Sequence, residues 1–171
     1  MPRLLTNLAG KVVTAIIVWA LIGGGSLGTA RSLSDVPDAL DELSGWISNH
    51  RVTRLQILHI RDDIETRSTL TPEMLRRMAL TRVVFDDPWD STSLDGLLAA
   101  LKSLRNAQHS QILGVKWGIL FMDSSGKELS AIFLSSDGTT IFFQGIPLRS
   151  RGALLAWIRS SINHGFDLSH R

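Results

Sequence analysis

The sequence predicts an α/β domain, with α+β as the alternative, built on a mixed sheet of about five strands flanked by helices after an apolar N-terminal leader. Helix-like and strand-like hydrophobic patterns alternate along the first part of the chain, and turn sequences separate three strand-like segments further on. Of the 171 residues, 44% are hydrophobic and none is cysteine, which excludes disulfide scaffolds and thiolate metal sites. The predicted element order is αβαβαβββα.

The first five predicted elements alternate between helix and strand. Apolar residues at helical spacing predict a helix over residues 36–47, and residues 51–60 predict a strand buried on both faces. A short helix begins at Thr71-Pro72, where proline occupies the first helical position, and residues 82–85 predict a second strand. A stripe of five leucines then predicts a helix over residues 94–107.

The remaining elements are a three-stranded meander and a final helix. Strands are predicted over residues 115–122, 128–134 and 139–144, because the sequences DSSGK and SSDGT supply hairpin turns between them. A helix follows over residues 150–162, and residues 164–171 are predicted as a flexible tail. Residues 31–163 therefore form one predicted globular domain.

The first thirty residues are predicted to be a signal peptide or an N-terminal membrane anchor. Nineteen uncharged residues separate Lys11 from Arg31, and their strongly apolar part, residues 12–22, has the length of a signal-peptide core. Small residues allow cleavage after Ala30, whereas a retained leader would contact the membrane through residues 12–30. Either form places the domain outside the cytoplasm, in the periplasm or the exterior. A buried core helix is the third alternative.

The net charge of +2 comes entirely from this leader. Residues 1–30 contain two basic residues and no acid, and the rest of the chain has 16 of each sign. Residues 35–95 carry 12 acids and 7 bases, whereas residues 96–171 carry 4 acids and 8 bases. Because no stripe of Lys and Arg with interleaved aromatics occurs, the sequence predicts no nucleic-acid partner.

Acidic residues follow the first two predicted strands. If these strands are parallel neighbours, both acidic turns leave the same edge of the sheet, where ligands of open α/β sheets bind. Carboxylate oxygens there could hold a hard divalent cation or a basic partner, and an exposed tryptophan could contact a protein or a sugar ring. The alternative is that the acids solvate loops and cap helices while the tryptophan covers the core. These candidate binding residues, called the acidic rim, are Asp62, Asp63, Glu65, Asp86, Asp87, Trp89 and Asp90.

No motif for catalysis is present in the sequence. The five histidines are scattered, and neither a G-x-S-x-G elbow nor a phosphate-binding loop occurs. We therefore predict no catalytic residue, and no cofactor unless a divalent cation binds at the acidic rim. The expected function is an extracytoplasmic binding or accessory module whose partner is a protein or a small ligand. One alternative is a small hydrolase of an envelope polymer that uses two rim carboxylates, and another is a membrane-anchored assembly subunit.

Overall fold

The computed structural model describes residues 32–61, 63–64, 69–86, 91–111 and 114–168. Its helices, after a short 3-10 turn, are α1 (Val36–Ser48), α2 (Pro72–Met78), α3 (Ser91–Lys102) and α4 (Ala153–Leu168). Its strands are β1 (Arg54–His59), β2 (Thr81–Asp86), β3 (Trp117–Met122), β4 (Glu128–Leu134), β5 (Thr140–Phe143) and β6 (Ile146–Arg149). The predicted leader, residues 1–30, lies outside the described residues, and within them no helix is long and apolar enough to cross a membrane. α4 continues to Leu168 and so includes part of the predicted tail.

The strands form one six-stranded sheet in the order β2-β1-β3-β4-β5-β6. The predicted class, a sheet of about this size flanked by helices, is confirmed. Every neighbouring pair of strands in this sheet is antiparallel.

The expectation that the first two strands run parallel is wrong. β1 and β2 are neighbours, but Arg54 lies opposite Asp86 and His59 lies opposite Thr81. The backbone N–H of Leu80 donates to the carbonyl of His59 at 3.2 Å, so β2 begins where β1 ends. A parallel neighbour would require the chain to return to the start of β1 first.

The strand β6 was not predicted from the sequence. Gln144 and Gly145 both have positive φ values, +49° and +86°, and they join Phe143 to Ile146 in a two-residue hairpin. A proline in the sequence weakens the prediction of a strand, but β6 is the last strand of the sheet. Pro147 is tolerated there because an edge strand does not need every backbone N–H for the ladder.

The two faces of the sheet have separate apolar cores. α1, α3 and α4 cover one face, on which Phe121 and Phe143 are fully buried. The shorter α2 covers part of the other face, where Leu75 packs with Leu58 and Phe133. Burial of these side chains supplies the main free energy that holds helices to the sheet.

A tight contact fixes the turn between β4 and β5 against α4. Gly138 has a φ of +70°, and a Cβ at this position would lie 2.6 Å from Leu155 Cβ. The backbone N–H of Ser150 also donates to the carbonyl of Thr139 at 2.7 Å. The turn, the end of β6 and the beginning of α4 are therefore held together.

Candidate functional site

A half-open cleft of about 1050 Å³ lies beside the end of β6. It is bounded by the segment that follows α3, by the start of β5 and by the link between β6 and α4. We call it the β6 cleft; it is lined by Ser103, Asn106, Ala107, Gln108, His109, Ser110, Gln111, Thr139, Thr140, Arg149, Ser150 and Arg151.

One wall of the β6 cleft is a backbone segment that runs along the outer side of β6. The N–H of Arg149 donates to the carbonyl of Gln108 at 2.7 Å, and the N–H of Ser110 donates to the carbonyl of Pro147 at 3.0 Å. Between them, His109 forms an isolated antiparallel bridge with Leu148. These bonds hold the wall at a fixed distance from β6.

Apart from Ala107, the side chains that line the cleft are polar, and the lining includes two arginines and no acidic residue. Arg149 and Arg151 are exposed on either side of the buried Ser150, and the exposed His109 belongs to the segment that pairs with β6. No carboxylate of the described residues pairs with either arginine, whereas Arg54, Arg61, Arg76 and Arg105 all have acidic partners. Two guanidinium groups with five N–H donors each are therefore available to a ligand.

Hydroxyl groups supply the neutral part of the lining. The Oγ of Ser110 and the Oγ1 of Thr140 are 3.3 Å apart, and the Oγ of Ser150 accepts from the N–H of Gly152 at 3.1 Å. α4 begins at Ala153, directly after this turn. The partial positive charge of its N-terminal end adds to that of the two arginines.

The nearest acidic residue in sequence to the cleft wall is Asp137, in the turn before Thr139. The Oγ of Ser135 donates to its carboxylate at 2.6 Å, and Thr139 donates through both N–H and Oγ1 at 3.0 and 2.8 Å. These hydrogen bonds, first that from Ser135, hold the pKa of Asp137 below its ordinary value. The carboxylate is thus engaged within its own turn.

Two members of the acidic rim lie within the described residues. Asp63 accepts two hydrogen bonds from Arg61, at 3.0 and 2.7 Å, and Asp86 accepts one from Arg54 at 2.6 Å. Both are solvent-exposed ion pairs, a class worth about 0–1 kcal/mol. The other rim residues, Asp62, Glu65, Asp87, Trp89 and Asp90, lie outside the described residues.

The structure does not bring Asp63 and Asp86 together. Because β1 and β2 are antiparallel, Asp86 lies opposite Arg54 at the start of β1, whereas Asp63 follows the end of β1. The six residues of β1 span about 17 Å, more than the roughly 5–9.5 Å between the carboxyl groups of glycosidases. These two residues therefore do not form a catalytic pair. Among the described residues, no group of three or more potential ligands is placed to hold a metal ion.

The residues of the β6 cleft were not singled out in the sequence. They come from three separate segments, and their spacing matches no ligand-binding motif. The one local signal is the sequence Arg149-Ser150-Arg151-Gly152 immediately before a helix, a place where basic side chains and a helix N-terminus meet.

No protein-family model, curated protein or solved structure matches this chain.

Proposed function

We propose that the chain is an exported or membrane-tethered binding module that binds the oxyanion group of a small ligand in the β6 cleft. The observation that carries this proposal is the pair Arg149 and Arg151 beside the same cleft without a carboxylate partner among the described residues. Arginine presents a planar set of donors that matches phosphate and carboxylate, and it remains charged at all physiological pH values.

The composition of the lining supports an anionic ligand. Arg149 and Arg151 both line this cleft, so an anion bound in it would be attracted by two positive charges. Ser110, Thr140 and Ser150 provide hydroxyls that can donate to further oxygens. A phosphate or carboxylate bound here would therefore meet donors from more than one wall.

The size of the cleft indicates a ligand larger than a free ion. A volume of about 1050 Å³ is at the upper end of the range found for small-molecule sites. The amide side chains of Asn106, Gln108 and Gln111 along one wall can bind neutral polar groups of such a molecule. We infer that the oxyanion is held near the arginines and that a polar remainder extends along this wall.

The position in the chain also fits the charge distribution. Residues 96–171 hold the excess of basic residues, and both arginines belong to this half.

Export is supported by the leader sequence alone, in which basic residues precede an apolar stretch. Cell fractionation with intact-mass measurement tests this part: recovery of the chain in the cytoplasm at its full mass of 18.8 kDa would contradict it.

Calorimetric titration of the purified protein with inorganic phosphate, and separately with succinate, tests the cleft. We expect Arg149→Ala and Arg151→Ala each to weaken binding about tenfold or more, because a hydrogen bond to a charged group contributes about 1.5–3 kcal/mol. Arg149→Lys should recover only part of the affinity, since lysine keeps the charge but loses the planar pair of donors. The two titrants separate phosphate from carboxylate recognition.

The matched control is Arg159→Ala. Arg159 is an exposed arginine of α4 that does not line the cleft, so its replacement removes the same charge elsewhere. If Arg159→Ala weakens binding as much as Arg149→Ala does, attraction by net charge explains the result. If wild-type protein binds neither anion, the proposal is wrong.

A further inference from the structure

Strand β2 leaves one of its two edges without a strand neighbour. It is the first strand in the sheet order, and among the described residues only β1 pairs with it. A strand in this position presents a row of backbone N–H and C=O groups that can pair with another extended chain.

Exposed apolar side chains are concentrated in and just before β2. Of the four large hydrophobic residues that are exposed among the described residues, Val84 (48%) lies on β2, and Met78 (45%) and Leu80 (67%) precede this strand by a few residues. Val84 stands in the middle of β2, whereas its neighbours Val83 and Phe85 point to the opposite face and pack against the larger core. Natural edge strands are commonly protected by a lysine, a proline or an inward-facing charge, and the middle of β2 has none of these.

We propose that two copies of the chain pair through their β2 strands, antiparallel and centred on Val84. In this register Val84 faces Val84 of the second copy, Val83 faces Phe85, and Arg82 faces Asp86. The two six-stranded sheets would join into one sheet of twelve strands with a twofold axis at Val84.

The charges of β2 are complementary to themselves in this register. Arg82 and Asp86 are exposed on the same face as Val84, two residues to either side of it. Within one copy Arg82 donates to the carbonyl of Arg76 and Asp86 accepts from Arg54, and both groups retain capacity for a further hydrogen bond. Arg82 of each copy therefore faces Asp86 of the other copy, and the two resulting Arg–Asp cross-strand pairs flank the central pair of valines. Shifting the register by two residues places an arginine or an aspartate opposite an uncharged residue, so the charges favour the register centred on Val84.

A second copy fits this edge better than an unrelated strand, because an unrelated partner would have to supply the opposite charge pattern independently. The contact is small: six residues of strand extend for about 17 Å. We expect a buried area below the roughly 1,200 Å² of stable complexes, and hence a reversible dimer. This inference is independent of ligand binding at the β6 cleft, which lies beside the opposite edge strand.

Single cysteines test the pairing in the full chain, which contains no cysteine of its own. Directly opposite residues of an antiparallel pair have Cα atoms about 4.5–5.5 Å apart, within the reach of a disulfide. We expect Val84→Cys to form a disulfide-linked dimer on mild oxidation of the purified protein, measured by non-reducing electrophoresis. Circular dichroism of the reduced protein establishes that the variant is folded.

Arg82→Cys and Asp86→Cys are the matched controls, since both lie on the same face of the same strand. In the proposed register each is about 13 Å from its own counterpart, too far for a disulfide. Each alone should therefore form no disulfide-linked dimer, whereas a mixture of the two should give a linked mixed dimer that retains one Arg82–Asp86 pair. If Val84→Cys links no more than Arg82→Cys alone, or if the mixture does not link, the proposed pairing is overturned.

Discussion

The contact between the β4–β5 turn and α4 leads to a prediction about Gly138. Alanine at this position must adopt the left-handed conformation, since φ is +70°, and its Cβ would lie 2.6 Å from Leu155 Cβ. The contact must lengthen to about 3.4 Å before it becomes an ordinary one. Because the obstructing atom is itself a Cβ, a change of side-chain rotamer at Leu155 does not relieve it. The turn or the first part of α4 has to move.

Two costs add at this position. A non-glycine residue in the left-handed region loses about 1–2 kcal/mol. Overpacking of a well-filled site costs about another 1–3 kcal/mol. We therefore expect Gly138→Ala to lower the free energy of unfolding by about 2–5 kcal/mol, a large part of the stability of a domain of this size.

Urea unfolding followed by circular dichroism measures this change, and Gly126→Ala is its matched control. Gly126 has a φ of +81°, but no atom lies within 4 Å of the position of its missing Cβ. It should lose only the conformational part, about 1–2 kcal/mol. If the two variants lose equal stability, the close approach of Gly138 to Leu155 does not constrain the fold and the reasoning is refuted.

Two further predictions concern single polar contacts. Hydrogen bonds from Ser135 and Thr139 lower the pKa of Asp137, so the stability that its carboxylate contributes is present above pH 3.8 and is lost as the pH falls through the lower pKa of the folded state. In urea unfolding at acidic pH, Asp137→Asn should therefore lose less of its unfolding midpoint than the wild type does. Equal losses in the two proteins would contradict this prediction. The indole N–H of Trp157 donates to the carbonyl of Ser93 at 2.8 Å and links α4 to α3, so Trp157→Phe should cost about 1 kcal/mol, and an unchanged unfolding midpoint would contradict it.

Elements with a strong local pattern were predictable from the sequence. The leucine stripe of α3 and the Thr71-Pro72 start of α2 depend only on neighbouring residues, and Thr71 Oγ1 does accept from the N–H of Met74 at 3.3 Å. The turn sequences DSSG and SSDG likewise determine the β3–β4 and β4–β5 hairpins through local hydrogen bonds, such as those that Asp123 accepts from the backbone N–H groups of Ser125 and Lys127.

Relations between distant segments were less accessible. Hydrophobic periodicity is the same for a parallel and an antiparallel strand, so nothing in β1 or β2 indicated that they run in opposite directions. The convergence of Asp63 and Asp86, which we considered for the case of parallel strands, depended on that direction and does not occur between antiparallel strands. β6 was missed because Pro147 weakens a strand pattern wherever the strand lies, and only the assembled sheet shows that it is at the edge.

The β6 cleft illustrates the same limit for the site. His109 precedes Arg149 by forty residues in sequence, and the pairing of Gln108 and Ser110 with β6 brings these basic groups to one cleft. Long-range backbone pairing of this kind has no local sequence signature. The cleft could therefore be found only after the fold was known.

The most direct test of oxyanion binding is an amide chemical-shift titration of the isotope-labelled protein with inorganic phosphate at constant ionic strength. Binding in the β6 cleft predicts saturable shifts for residues 108–111, 139–140 and 149–152, which require about tenfold more phosphate or higher in Arg149→Ala and are unchanged in Arg159→Ala. Shifts spread over all exposed arginines, or absent from these three segments, would contradict it.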